Sequence, residues 1–239
     1  KLLPADGAAS DQFGSAVALS GTRLLAGAPG DDDNGSSSGS VCVFERQTDG
    51  TWLQVAKLLP ADGGASDEFG GAVALAGDTA AVGAIGEDSV ASNSGAVYVF
   101  ARQPDGTWAQ TAKLKASGAE SGDGFGRAVA LHESALAAGA PSDDGPGAGP
   151  GFACVFTCQA DGTWTEAARL VAPDAYATAG DQFGSSVAID AWRVLAGAPG
   201  DEPSGTGAAY VFHYWPGTGW AYRSRLLYPS GAAGDDFGT

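Results

Sequence analysis

Residues 57–112 read KLLPADGGASDEFGGAVALAGDTAAVGAIGEDSVASNSGAVYVFARQPDGTWAQTA, and the rest of the chain repeats that text with small changes. Lys1, Lys57, Lys113, Arg169 and Arg225 follow one another at intervals of 56, as do Trp52, Trp108, Trp164 and Trp220. Phe13, Phe69, Phe125, Phe183 and Phe237 each precede a glycine, at spacings of 56, 56, 58 and 54. Gly27, Gly83, Gly139 and Gly197 open GAP, GAI, GAP and GAP. Several residue types recurring in one order mark an internal repeat, here four full units and the start of a fifth.

Each unit reads as four short strands. In the first, FGSAVAL (13–19) alternates, which predicts a strand with Phe13, Ser15, Val17 and Leu19 on one side. SGT (20–22) turns into RLLAGA (23–28), and a long polar loop leads to SVCVFER (40–46). The turn TDG (48–50) then opens TWLQVAKLL (51–59), and PDG (104–106) and ADG (160–162) repeat this Asp-Gly hairpin chemistry. No segment carries a helical stripe. A repeated four-stranded antiparallel meander is the blade of a β-propeller. The side chains taper accordingly, from GAVALAG (71–77) and AAVGA (80–84) to VYVF (97–100) and Trp108. A stacked β-solenoid is the competing architecture, but its repeats are usually shorter and lack such hairpins. The expected fold is all-β, one propeller domain or a segment of one over 1–239. Its blades run over approximately 10–59, 66–115, 122–171 and 180–227, and 228–239 opens a further repeat.

The paired FG and GAP signatures resemble FG-GAP repeats, the blade motif of integrin α-subunit propellers, with WxxxAKL on the outer strand. The resemblance covers essentially the whole chain. It implies a propeller in an extracellular or cell-surface setting that acts in adhesion or ligand binding through its loops. One departure is plain. Integrin-type blades hold calcium in a DxDxDG loop between the FG and GAP strands, whereas here that connection is SGT (20–22), AGDT (76–79), HES (132–134) or DAW (190–192). The integrin calcium site does not carry over to this position.

Charge narrows the function. The 239 residues hold 12 Lys and Arg against 28 Asp and Glu, a formal charge of −16, which argues against nucleic acid as partner. An apolar share of 44% argues against a disordered acidic tail. No apolar run reaches the ~18 residues of a membrane span. No charged-then-apolar leader opens the sequence, so any secretion signal is expected to have been removed or to lie outside it. Cys154 and Cys158 lie four apart on one predicted strand, too far for a disulfide, and Cys42 and Cys154 hold the repeat position of Tyr98 and Tyr210, as buried small hydrophobes would.

Loop lengths and acids point to one face. Phe to GAP is 14 residues in every unit and the strand-three Phe to Trp is eight, so length changes fall only before strand one and after strand two. Those loops carry 20 of the 28 acids. Such a field repels itself unless something neutralises it. Asp-x-Phe-Gly places Asp11, Asp67, Asp123, Asp181 and Asp235, and GAP is followed by Asp31, Glu87, Asp143 and Asp201. Two readings fit these pairs. The first eight of them in blade order (Asp11, Asp31, Asp67, Glu87, Asp123, Asp143, Asp181, Asp201) are candidate calcium ligands; alternatively the Asp residues close Asx turns on nearby N–H groups. Asp32, Asp33, Asp88 and Asp144 complete the candidate ligand face. Trp192, Tyr214 and Trp215 break the repeat in unit four and are candidates for a specific contact. Asn34-Gly35-Ser36 is a glycosylation sequon.

His132 and His213 do not recur, and the carboxylate pairs repeat with the blades, where catalytic groups would break the pattern once. The expected function is therefore a non-enzymatic adhesion or ligand-binding module, calcium-stabilised in one variant, that takes a protein or glycan on its acidic face. A structural repeat component and a glycan-binding lectin are the alternatives. Because RLLYPSGAAGDDFGT (225–239) repeats the opening, a larger propeller or self-association through open blade edges is expected, with a closed four-blade ring as runner-up.

Overall fold

The computed structural model describes residues 1–239 apart from 143–148, 174–176, 202–205, 229–230 and 233. Its described residues form four four-stranded antiparallel sheets and no helix. Blade 1 holds β1 (Val17–Ser20), β2 (Arg23–Ala28), β3 (Ser40–Arg46) and β4 (Trp52–Leu58). Blade 2 holds β5 (Ala72–Ala76), β6 (Thr79–Ala84), β7 (Ala96–Arg102) and β8 (Trp108–Leu114). Blade 3 holds β9 (Ala128–His132), β10 (Ala135–Ala140), β11 (Phe152–Cys158) and β12 (Trp164–Leu170). Blade 4 holds β13 (Val187–Ile189), β14 (Arg193–Ala198), β15 (Ala208–Trp215) and β16 (Gly219–Leu226). Every sheet is a meander in chain order. The all-β propeller expectation holds.

The hairpins follow the turn chemistry. At β3–β4, Asp49 Oδ1 accepts from both the Thr51 N–H and its hydroxyl while Gly50 sits at φ +87, and Asp105 and Asp161 repeat this on Thr107 and Thr163. One expectation is corrected. The first strand begins at Val17, not Phe13. Gln12 and Gly14 take positive φ, and the Ser15 N–H closes a turn on the Gln12 carbonyl, so the FG pair cannot run extended.

FG and GAP meet across the blade seams. A Cβ on Gly27 would lie 1.9 Å from the Gly70 carbonyl oxygen, and Gly83, Gly139 and Gly197 meet Gly126, Gly184 and Gly238 in the same way. Phe69 also bridges in parallel to Gly39 of the preceding blade and is fully buried there; Phe125 on Gly95, Phe183 on Gly151 and Phe237 on Gly207 repeat the joint. The glycines thus buy close backbone approach, and the fully buried Phe69, Phe125 and Phe183 are wedges whose burial contributes about 1.5–3 kcal/mol each.

The core lies between blades. One cluster joins Leu25, Val41 and Val43 of blade 1 to Val82, Tyr98 and Phe100 of blade 2, and two more fill the next seams. In blades 2, 3 and 4 volume is conserved locally. Tyr98 and Tyr210 pair with Ala96 and Ala208 two residues away, whereas Cys154 pairs with Phe152. Cys42 and Cys154 are free and buried, as expected. The inner strands pack in series, β1 on β5, β5 on β9 and β9 on β13. Val17 and Leu19 on β1 remain 66% and 65% exposed, while their counterparts Val73, Leu75, Val129 and Leu131 are half-buried.

Candidate functional site

Two loops of each blade converge on one end of the sheets, and the chain interlocks them from blade to blade. Ser66 and Glu68, entering blade 2, donate their N–H groups to the carbonyls of Ser36 and Ser37 in the β2–β3 loop of blade 1. Gly122 and Gly124 repeat this on Ser92 and Asn93. These bonds join the acidic segments of blades 1, 2 and 3 at that end of the sheets.

Within these segments, the Asp of Asp-x-Phe-Gly closes a local loop. Asp11 Oδ2 accepts from Ala8 N–H at 2.6 Å, Asp67 from Gly64 at 2.8 Å, Asp123 from Glu120 at 2.8 Å, Asp181 from Thr178 at 2.7 Å and Asp235 from Ala232 at 2.7 Å. The Thr178 hydroxyl also donates to Asp181. These carboxylates do the work of an Asx-type turn.

In blades 1, 2 and 4 the acid after GAP finds a cation from its own blade. The Lys57 ammonium on β4 lies 2.8 Å from Asp31, 2.8 Å from Asp6 and 2.7 Å from Asp33. Lys113 on β8 lies 2.7 Å from both Glu87 and Asp62, and the Tyr98 hydroxyl donates to Asp62. In blade 4, Arg225 and the Tyr210 hydroxyl both bond Asp201. Asp31 also accepts from Ser40 Oγ and Asp33 N–H, and Glu87 from Ser89. Burial alone would push the Asp31 carboxyl up, but Lys57, the Asp33 N–H and the Ser40 hydroxyl outweigh it and hold it below the usual range. Asp67 goes the other way: burial lifts it, against the Gly64 N–H and with help from the Glu87 charge.

Sequence reasoning placed these acids on one face but missed their counter-ions. The signal was present, since Lys57, Lys113 and Arg225 mark the 56-residue period itself. Arg169, at the same position, donates to the Ser117 carbonyl and covers the Phe152 ring at 3.5 Å. Asp143 and Asp144 lie outside the described residues. Among the described residues, no three His, Cys, Asp or Glu gather as metal ligands do. In blades 1, 2 and 4 one carboxylate of the pair is committed to a backbone loop and the other to a lysine or an arginine, so these described donors are a poor fit to calcium, which takes about six to eight oxygens.

That assignment is testable at Asp67. A carboxyl raised in the folded state contributes stability below about pH 3.9 and loses it as pH rises through the folded value. At pH 7 its charge is therefore a burden, and Asn keeps the acceptor without it. Asp67→Asn should match wild type or exceed it by up to about 1 kcal/mol, while Asp67→Ala should lose about 1 kcal/mol. Thermal midpoints should agree in calcium and in chelator; a calcium-dependent rise abolished by Asp67→Asn would restore the metal reading.

The exposed acids of these loops include Asp32, Asp33, Asp88, Glu68, Glu120 and Asp236. Asp32 and Asp88 each accept one backbone N–H, from Ser37 and Asn93, and leave an oxygen to solvent. Trp192, Tyr214 and Trp215 sit at the other end of the blades, Trp192 on the β13–β14 turn and Tyr214 and Trp215 at the end of β15. The structure thus separates the aromatic candidates from the acidic ones. Trp52, Trp108, Trp164 and Trp220 are half-buried packing residues of the outer strands.

A family model for the FG-GAP repeat matches residues 1–44, 52–100, 108–156 and 164–212. Its units are out of phase with the sheets: the second runs from β4 of blade 1 to β7 of blade 2, and the second, third and fourth each span a seam. A crystal structure of a protein from Lactobacillus plantarum superposes with a TM-score of 0.56 at 14% identity, over 90% of this chain and 56% of that one. This chain therefore spans little more than half of that protein, and the likeness concerns the fold. No curated protein sequence matches significantly.

Proposed function

Because the chain belongs to the FG-GAP repeat family, we propose that it is a non-enzymatic extracellular binding module that takes a cationic partner surface on its acidic loop rim. The observation that carries this reading is the charge left over after internal pairing. Lys57, Lys113 and Arg225 each neutralise the buried acid of their own blade, yet Asp32, Glu68, Asp88, Glu120 and Asp236 stay exposed on the same rim. Like charges held together on a rigid scaffold attract a basic partner and speed its approach. The loops that vary in length belong to this rim, and loops on a fixed frame are where recognition usually sits. The carboxylates recur with the blades, as a multivalent surface requires and a single reaction centre does not.

An eight-lysine peptide serves as probe. Its affinity should fall about tenfold between ~0.02 and ~0.3 M salt, as screened surface charges require. The triple variant Asp32→Asn/Asp88→Asn/Glu120→Gln should weaken it about fivefold at low salt with an unchanged melting temperature. Binding that ignores both salt and the variant would refute the rim as the contact surface.

A further inference from the structure

The seams at the opposite end of the blades are built alike but filled differently. Between blades 1 and 2, four charged side chains fill the seam. Arg23 bonds Glu45, its register partner, at 2.9 Å and Asp78 at 2.9 Å, and Arg102 lies 3.2 Å from Glu45. At the same four positions between blades 3 and 4 stand Ala135, Thr157, Trp192 and Tyr214. The blade 3 side chains have been cut back and the blade 4 side chains enlarged into rings. The result is a cavity of about 270 Å³, floored by Ala135, Thr157 and Ala167 and walled by Trp192, Tyr214 and Trp220.

The walls form a curved aromatic surface. Trp192 and Tyr214 lie 5.8 Å apart between ring centres and are turned by 32°, and Tyr214 and Trp220 lie 5.6 Å apart and are turned by 59°. Trp192 is 51% exposed. The Tyr214 N–H donates to the Trp192 carbonyl, which fixes the two rings in one frame. At the cavity's edge stands Glu133, with His132 and Ser134 beside it, and no lysine or arginine lines the cavity. Glu133 occupies a left-handed position, φ +50, where blades 1 and 2 carry Gly21 and Gly77 at φ +59 and +58.

We propose that this seam cavity binds a quaternary ammonium group of the choline kind, its methyls against Trp192, Tyr214 and Trp220 and its charge facing Glu133. Aromatic faces attract a cation through the ring quadrupole. A trimethylated ammonium is apolar on its surface, whereas a primary ammonium is strongly hydrated and better served by exposed carboxylates. A flat sugar face would match one plane, not three rings turned against one another. The chain's charge of −16 favours a cation as well. The site lies at the other end of the blades from the acidic rim and stands independently of the function proposed for that rim.

Tryptophan fluorescence and calorimetry with choline, 3,3-dimethylbutan-1-ol, phosphocholine and methyl glucoside test this. Choline should bind saturably and its uncharged carbon isostere about tenfold more weakly. Trp192→Thr and Glu133→Gly install residues found in other blades, so folding should persist, which an unchanged melting temperature checks. Each should weaken choline, the first by about tenfold and the second by about threefold. Phosphocholine binding as choline does would admit a headgroup as the source, and a loss with phosphate would restrict the site to the free cation; both keep the site. Equal affinity for the isostere, glucoside binding without choline binding, or choline binding untouched by Trp192→Thr would overturn it.

Discussion

Gly83→Ala is expected to lose about 3 kcal/mol of stability or more, far beyond what one methyl group usually costs at a surface. The added Cβ would stand 2.0 Å from the Gly126 carbonyl oxygen, against backbone that belongs to the next blade. No side chain there can swing aside. The seam must open, and with it the packing of Phe125, which is fully buried beside it. Gly77→Ala is the control. Gly77 has φ +58 but nothing within 4 Å of its would-be Cβ, so only the left-handed backbone resists, at about 1 kcal/mol. Urea unfolding of both variants gives the comparison. Because, among the described residues, the inner strands pack in series from each blade to the next, Gly83→Ala should also broaden the transition by uncoupling two halves of the chain. Equal losses in the two variants would mean that the FG-GAP joint is not a steric lock.

Lys57→Met should cost about 3 kcal/mol at neutral pH, the lower end of what a broken buried ion pair loses. It strands Asp31, which is buried, together with Asp6 and Asp33. The pH dependence carries the sign. The Asp31 carboxyl is held below its ordinary value, so its contribution is present above about pH 3.9 and disappears as pH falls through the folded value. Lys57 is held above its ordinary value, since its three carboxylates outweigh the burial that would lower it. Its contribution is full below about pH 10.4 and declines as pH rises beyond that. The gap between wild type and Lys57→Met should therefore be widest near pH 7 and close toward both extremes. Lys57→Met/Asp31→Asn should recover about half of the loss, because no lone charge then stays buried. A variant as stable as wild type at pH 7 would show that the ammonium merely decorates the rim.

The architecture was open to reading because its cause is local and recurs. Alternating apolar residues, Asp-Gly turns and small inner residues state the blade four times, and the one misplaced strand start arose where Gln12 and Gly14 adopt positive φ, which alternation does not encode. The acids were legible as a count of charges on the loops before strand one and after strand two. Their wiring was not, because Lys57 and Lys113 sit on outer strands more than twenty residues from the acids they meet, at Asp31 and Glu87. The aromatic cavity was half visible. Trp192 and Tyr214 stood out as departures from the repeat, but the space beneath them comes from what Ala135 and Thr157 lack, and a missing side chain shows only when blades are aligned by register.

The joint formed by Phe237 and Gly238 on blade 4 has a mechanical meaning. Phe237 lies parallel to Gly207, and Gly238 presses its carbonyl on Gly197, as each earlier joint does one blade back. A pull on Phe237 would load that contact and, through Gly197 and Gly207, β14 and the entry to β15. Tethered at this end, the assembly would resist until a joint slipped and would then release whole sheets in discrete steps, in the manner of a ratchet strap paying out link by link.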